Sequence, residues 1–178
     1  MKWQGVGGLF AAGDTATVNV TVTTVSAINF TDNNINFGNG TVDSGKDYAV
    51  LESNGTSAVD GSWDWGSPDN ISMENVGNQN LTLNFSFADD ADSLVGGTSS
   101  NNEYSFMLSS EEAASACTED GITKNQWYPA NTSGKWICSN YNIDDAADEL
   151  TFDIRVKIPS DSRVNNLGST ITAYAHAV

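Results

Sequence analysis

The chain offers few residues able to perform acid–base or nucleophilic catalysis. His176 is its only histidine, so a Ser-His-Asp or Cys-His arrangement has to use it. We expect instead a surface or edge-strand histidine. The sequence contains neither a P-loop nor a GxGxxG motif. Carboxylates are abundant, but nothing in the sequence marks out one pair for glycoside hydrolysis. We therefore expect no enzyme activity, and a secreted hydrolase using acidic loops is the weakest alternative.

Two acidic runs have the residue type that binds Ca²⁺, which prefers carboxylate oxygens. They are Asp89, Asp90 and Asp92, and then Asp144, Asp145, Asp148 and Glu149. Neither run has EF-hand spacing, and solvated loops have the same composition. We expect no metal and no cofactor.

The charge balance excludes one class of partner. The chain has 7 Lys and Arg against 23 Asp and Glu, a net charge of −16. Neutralising nucleic-acid phosphates requires Lys and Arg, so we expect no nucleic-acid partner. An acidic surface suits solubility, cation binding, or a salty or acidic exterior.

Cys117 and Cys138 are the only cysteines. A single pair without CxxC spacing argues against a zinc site. In a chain of secreted appearance we expect them to form one disulfide, and two unpaired buried thiols are the alternative. The loop it closes is about 20 residues long, which corresponds to about 3 kcal/mol of stabilisation.

Four tryptophans have the residue type of a sugar-stacking platform: Trp63, Trp65, Trp127 and Trp136. We favour packing in the core or at a subunit contact, because aromatic residues dominate both. A secreted carbohydrate-binding or adhesin module is the alternative function that these residues support.

The main structural pattern lies between Asp14 and Thr31. Its residues alternate between apolar and polar over most of this length, the signature of a strand with one buried face. The apolar side carries Ala16, Val18, Val20, Val22, Ile28 and Phe30. At about 3.3 Å per residue the stretch reaches roughly 55 Å, far beyond a typical strand. It either breaks near 24–26 or projects beyond its own domain, where it suits insertion into another subunit's sheet.

The rest of the chain is predicted to be an all-β sandwich with at most one short helix. Alternation predicts strands in ELTFDIRVKIP, in STITAYAHAV and in the two halves of ISMENVGNQNLTLNFSF, which we interpret as a hairpin or bulged pair. Ser109 with Glu112 resembles a capping box, which predicts a helix ending at Gly121. We divide the chain into a flexible lead (1–13), a candidate donor strand (14–30) and a sandwich domain (31–178).

Export is indicated by eight Asn-x-Ser/Thr sequons, the acceptors of N-linked glycans. They are Asn19, Asn29, Asn39, Asn54, Asn70, Asn80, Asn84 and Asn131. We expect several to be occupied, especially Asn54 and Asn131 in predicted loops. No stretch approaches about 20 apolar residues, so no transmembrane segment is predicted. The first 13 residues do not make a complete signal peptide.

The stretch TATVNVTVTTVSAINFTDNNINFGNGTVDSG, together with ISMENVGNQNLTLNFSF, resembles archaeal secreted filament subunits of the bundling-pilus kind. Those are similar in turn to the TasA/camelysin family of bacterial biofilm fibres. The resemblance implies a jelly-roll-like sandwich, export, and polymerisation by donation of an N-terminal strand to the next subunit. The chain lacks the hydrophobic N-terminal helix of type IV pilins.

The sequence therefore favours a structural protein at the cell surface, the repeating subunit of a glycosylated filament or pilus. Its expected partners are identical subunits in a helical polymer and N-linked glycans. The donated strand would run through Ala16, Val18, Val20, Val22, Ile28 and Phe30. A contact of this head-to-tail kind that does not close produces a fibre.

Overall fold

The computed structural model describes residues 19–98, 100–163 and 166–178. The predicted 1–13 lead and residues 14–18 of the candidate donor strand lie outside the described residues. The described part is a sandwich of two antiparallel sheets, which confirms the predicted all-β sandwich class. It contains no helix with the length and hydropathy of a transmembrane span.

The first sheet is built around its longest strand, β9. The order across the sheet is β1 (Asn29–Asp32), β3 (Ile71–Glu74), β9 (Glu149–Pro159), β5 (Glu103–Glu111) and β7 (Tyr128–Pro129). A further strand, β2 (Tyr48–Glu52), also pairs with β9. Because β3 pairs with residues 149–152 of β9 and β2 with residues 155–159, the two short strands follow one another along β9.

The second sheet has the order β10 (Ile171–Ala177), β4 (Leu81–Phe87), β8 (Lys135–Tyr141) and β6 (Cys117–Glu119). Cys117 and Cys138 are bonded to each other, as predicted, and the bond joins the neighbouring strands β6 and β8. The one helix among the described residues is α1 (Ala91–Leu94), whose N-cap Asp90 accepts a hydrogen bond from the Ser93 N–H.

The core lies between the sheets and follows from the period-two patterning. In β4 every second residue is buried, and β9 buries Leu150, Phe152, Ile154 and Val156. The Phe85 ring is central, with its centroid 4.6 Å from that of Phe152 and 6.1 Å from that of Phe106. The Tyr141 hydroxyl crosses from the second sheet to donate to the Met73 carbonyl oxygen, 2.7 Å away.

The predicted helix between Ser109 and Gly121 is wrong. β5 continues to Glu111, pairing with Leu150 of β9 across a bulge. The Ser109 hydroxyl donates to the Thr151 carbonyl instead of capping a helix, and Cys117 begins β6. Pairing with β9 therefore overrides the local helix signal.

The predicted hairpin of β3 and β4 is also wrong, although both strands form. β3 pairs with β1 and β9 in the first sheet, and β4 pairs with β10 and β8 in the second. The connection between them crosses from sheet to sheet. The buried Asn75 side chain holds it by donating to the carbonyl oxygens of Gln79, Tyr141 and Asn142.

Candidate functional site

The site that the fold creates is an open groove of about 570 Å³ beside the start of β10. Its floor includes the inward side chains of β9 and β2, among them Ile154, Val156 and Leu51. Its walls are residues 35–40 on one side and residues 166–171 on the other. The volume far exceeds the about 30 Å³ that one water occupies in the liquid.

Among the described residues, no charged side chain lines this groove. The lining residues are Ile35, Asn36, Phe37, Gly38, Asn39, Gly40, Leu51, Trp63, Ile71, Leu94, Val95, Tyr104, Ile154, Val156, Ile158, Asn166, Leu167, Gly168, Ser169 and Ile171. In a chain of net charge −16, a groove lined by uncharged apolar and polar groups is suited to an uncharged occupant with both kinds of surface.

β10 is an edge strand of the second sheet among the described residues, with β4 as its one partner there. The Ala88 N–H donates to the Thr170 carbonyl, and the Val178 N–H to that of Asn80. Antiparallel pairs alternate, so the even-numbered residues of β10 bond to β4. The backbone groups of residues 171, 173, 175 and 177 therefore face the free edge, where another strand can pair.

The candidate donor strand is divided by the structure. Residues 19–28 form no strand within the described part of the chain, and Val20 and Val22 are 81% and 78% exposed. Ile28 and Phe30 instead pack against the subunit's own core, and Phe30 pairs with Met73 of β3. Ile28 and the residues that follow it therefore belong to the subunit's own fold.

The residues just before Ile28 are held by a backbone clamp formed by residues 75–79. Asn78 accepts from the Val25 N–H at 2.6 Å and donates through its side chain to the Thr23 carbonyl at 2.8 Å. Its own N–H donates to the Val25 carbonyl at 3.0 Å. A Cβ on Gly77 would lie 2.5 Å from that carbonyl oxygen, so glycine permits the close approach. Residues 23–26 are thereby fixed to the domain.

The clamp and the groove lie at opposite ends of β10. Ala177 pairs with Leu81, two residues after the clamp segment, whereas Ile171 lines the groove. Six residue steps of a strand separate them, which is roughly 20 Å. The N-terminal segment therefore leaves the domain far from the groove of the same subunit.

The residues weighed and rejected above as catalytic or Ca²⁺-binding groups lie apart in the structure. His176 is exposed on the outward side of β10, opposite Thr82 of β4. Asp90 caps α1, and Asp92 accepts a hydrogen bond from Asn102. Within the described ranges, no three His, Cys, Asp or Glu side chains are grouped as metal ligands.

The second acidic run takes part in a separate cleft of about 310 Å³ with Glu74, Glu112 and Gly77. Burial, followed by repulsion from Glu112 and Glu74, raises the pKa of Asp148. The cleft concentrates negative charge next to the clamp. It differs in this respect from the groove at the other end of β10.

The four tryptophans do not form a common platform. Trp63 stacks against Gly40 and Gly61, and the Trp65 ring makes an edge contact with Phe37 and donates to the Gly55 carbonyl. Trp127 lies on the first sheet, 4.2 Å from the Arg155 guanidinium. Trp136 is exposed on the outward side of the second sheet. They thus occupy three different places.

The eight sequons all fall within the described residues. Asn19, Asn29, Asn39 and Asn54 are exposed, and Asn70, Asn80, Asn84 and Asn131 are half-buried. Asn54 lies in a turn after β2. Asn131, which was expected in an open loop, uses its side-chain carbonyl to accept from the Ser133 N–H.

Sequence reasoning missed the groove and the clamp. The groove joins residues 35–40, 154–158 and 167–171, which no local pattern connects. The turn residues Gly77 and Asn78 gave a local signal for the clamp. The sequence did not indicate that residues 23–26 would be their partners. Comparison of the chain with protein-family models, curated proteins and solved structures found no significant match.

Proposed function

We propose that the protein is the structural subunit of an extracellular, glycosylated filament that polymerises head-to-tail by donor-strand complementation. The observation that carries the proposal is the groove without charged lining residues at the start of the edge strand β10, combined with the exposed alternating valines of the N-terminal segment. The resemblance to archaeal filament subunits supports the same assignment. The activity requires no catalytic residue and no cofactor.

The groove and the segment are chemically complementary. Val20 and Val22 alternate with Thr21 and Thr23, so an added strand would present valines to the groove and threonines to solvent. Burial of a valine contributes about 1.5–3 kcal/mol. The exposed backbone of β10 would supply the main-chain hydrogen bonds of the added strand.

The positions of the clamp and the groove at opposite ends of β10 favour a neighbouring subunit as the acceptor. The clamp releases the N-terminal segment at one end of β10, and the groove opens at the other. A donor and an acceptor on opposite ends make a heterologous contact, which propagates into a filament when it does not close. Because Ile28 and Phe30 belong to the donor's own core, we place the donated residues before Thr23.

The test is a matched pair of substitutions in the segment. Val20→Asp is expected to abolish filaments, because it would bury a charge in an apolar groove. Thr21→Asp, one residue away on the polar side, is expected to leave them intact or to weaken them. Both positions are exposed in the free subunit, so neither variant should change its melting temperature. Electron microscopy showing normal fibres from Val20→Asp would refute the proposal.

A further inference from the structure

On the outward face of the second sheet, the neighbouring strands β4 and β10 present no acidic or basic side chain other than His176, and two aromatic rings are exposed there. The outward side chains of β4 are Thr82, Asn84 and Ser86, and those of β10 are Thr172, Tyr174 and His176. None of these is an acid, in a chain that has 23. Trp136 on β8 is 47% exposed and Tyr174 is 50% exposed.

Asn84 lies between the two rings. In the strand register it pairs with Tyr174 on one side and with Trp136 on the other. The two aromatic positions are therefore separated by two strand spacings, roughly 10 Å. Asn84 begins the sequon Asn84-Phe85-Ser86, and Ser86 lies on the same face.

We infer that Asn84 carries an N-linked glycan whose first sugars lie across Trp136 and Tyr174. The apolar faces of sugar rings pack on aromatic rings, and the hydroxyls of Thr82, Ser86 and Thr172 surround them with hydrogen-bonding groups. The sequon at Asn84 identifies an N-linked glycan as the group that covers the two rings, whereas exposed aromatic rings alone would not identify their ligand. The inference rests on the glycosylation in the proposed function but not on polymerisation.

The first measurement is glycopeptide mass spectrometry of the protein isolated from its native source. The peptide containing Asn84 is expected to carry a sugar adduct. An Asn84 peptide with only the mass of the bare sequence would overturn the inference. That outcome would leave the donor-strand contact unaffected, because the face is distinct from the free edge of β10.

The second measurement is hydroxyl-radical footprinting of native protein and of the Asn84→Gln variant. Oxidation of Trp136 and Tyr174 is expected to rise several-fold in the variant, because the covering sugar is lost. Trp127 on the other sheet is the internal reference and should not change. The control Asn54→Gln, in a sequon far from these rings, should leave their oxidation as in the native protein.

Equal oxidation of the two rings with and without Asn84 would overturn the stacking. Enzymatic trimming of the glycan on the folded native protein makes the same comparison without a substitution, so a folding defect of Asn84→Gln cannot decide the result. Filaments are expected from Asn84→Gln. If Val20→Asp abolishes filaments and Asn84 carries no sugar, the donor-strand proposal stands and the glycan inference fails.

Discussion

At the scale of single residues, the clearest energetic conflict is Asp153 on β9. Its side chain is buried and accepts a hydrogen bond from the Ser53 hydroxyl at 3.1 Å. Burial raises the pKa of Asp153, and the neighbouring hydroxyl groups of Ser109 and Ser53 oppose this only in part. The ionised carboxylate therefore disfavours the folded state.

The direction of the pH dependence follows from this raised pKa. Below the usual carboxyl pKa of about 3.9 both states are protonated, and Asp153 has no effect. As pH rises towards the folded-state pKa, the unfolded state releases its proton first, so stability falls. Above the folded-state pKa the loss is complete.

We predict that Asp153→Asn stabilises the unpolymerised subunit at pH 7 and has no effect near pH 3. The expected gain in melting temperature is about 2–4 °C, the shift that 1 kcal/mol produces in a domain of this size. Asp161→Asn is the control, because the N–H and hydroxyl of Thr98 hold the pKa of Asp161 below its usual range. A loss of stability in Asp153→Asn at pH 7 would contradict the raised pKa.

At the scale of elements, the edge strand β10 directs half of its backbone N–H and C=O groups towards β4 and the other half towards its free edge. Its even-numbered residues bond to β4, and its odd-numbered residues face the free edge. Its inward residues Ala173 and Ala175 are small and pack against the core. An added strand with valines would extend the sheet at this edge.

We predict that Ala175→Pro blocks polymerisation while the subunit stays folded. Proline removes an N–H that faces the free edge, and edge strands tolerate proline at such positions. His176→Pro is the matched variant. It removes an N–H that bonds to β4, so it should lower the melting temperature of the subunit itself. Circular dichroism measures folding and electron microscopy measures fibres. Normal fibres from folded Ala175→Pro would place the acceptor site elsewhere.

The sequence predicted those elements whose pattern is strictly local. β9, β4 and β10 alternate at period two, and each forms where the alternation lies; β9 and β4 bury one face, whereas the inward residues of β10 are half-buried or exposed. The predictions that failed concerned which strands pair with each other. The Ser109 segment has helix-forming residues, but its N-terminal part pairs with β9, more than 35 residues later in the sequence. The β3 and β4 segments look like a hairpin, yet they lie in different sheets, and the Asn75 side chain bonds the connection between them to the carbonyls of Tyr141 and Asn142.

At the scale of the whole molecule, the sequence revealed half of the candidate site. The alternating valines predict an apolar partner for the N-terminal segment. The groove that we propose as its acceptor was not predictable, because its lining residues come from many separate stretches between Ile35 and Ile171. The clamp at residues 23–26 also corrects the extent of the donor, since Ile28 and Phe30 stay with their own core.

The central claim is that the segment before Thr23 completes a neighbour and not its own domain. Deleting residues 1–22 retains the clamp and the core residues Ile28 and Phe30. We predict a folded, monomeric subunit that forms no fibres by electron microscopy and that binds an added peptide of residues 14–22. If the segment completes its own sheet, the deletion should instead unfold the domain. Normal fibres from the truncated protein would contradict the donor-strand account.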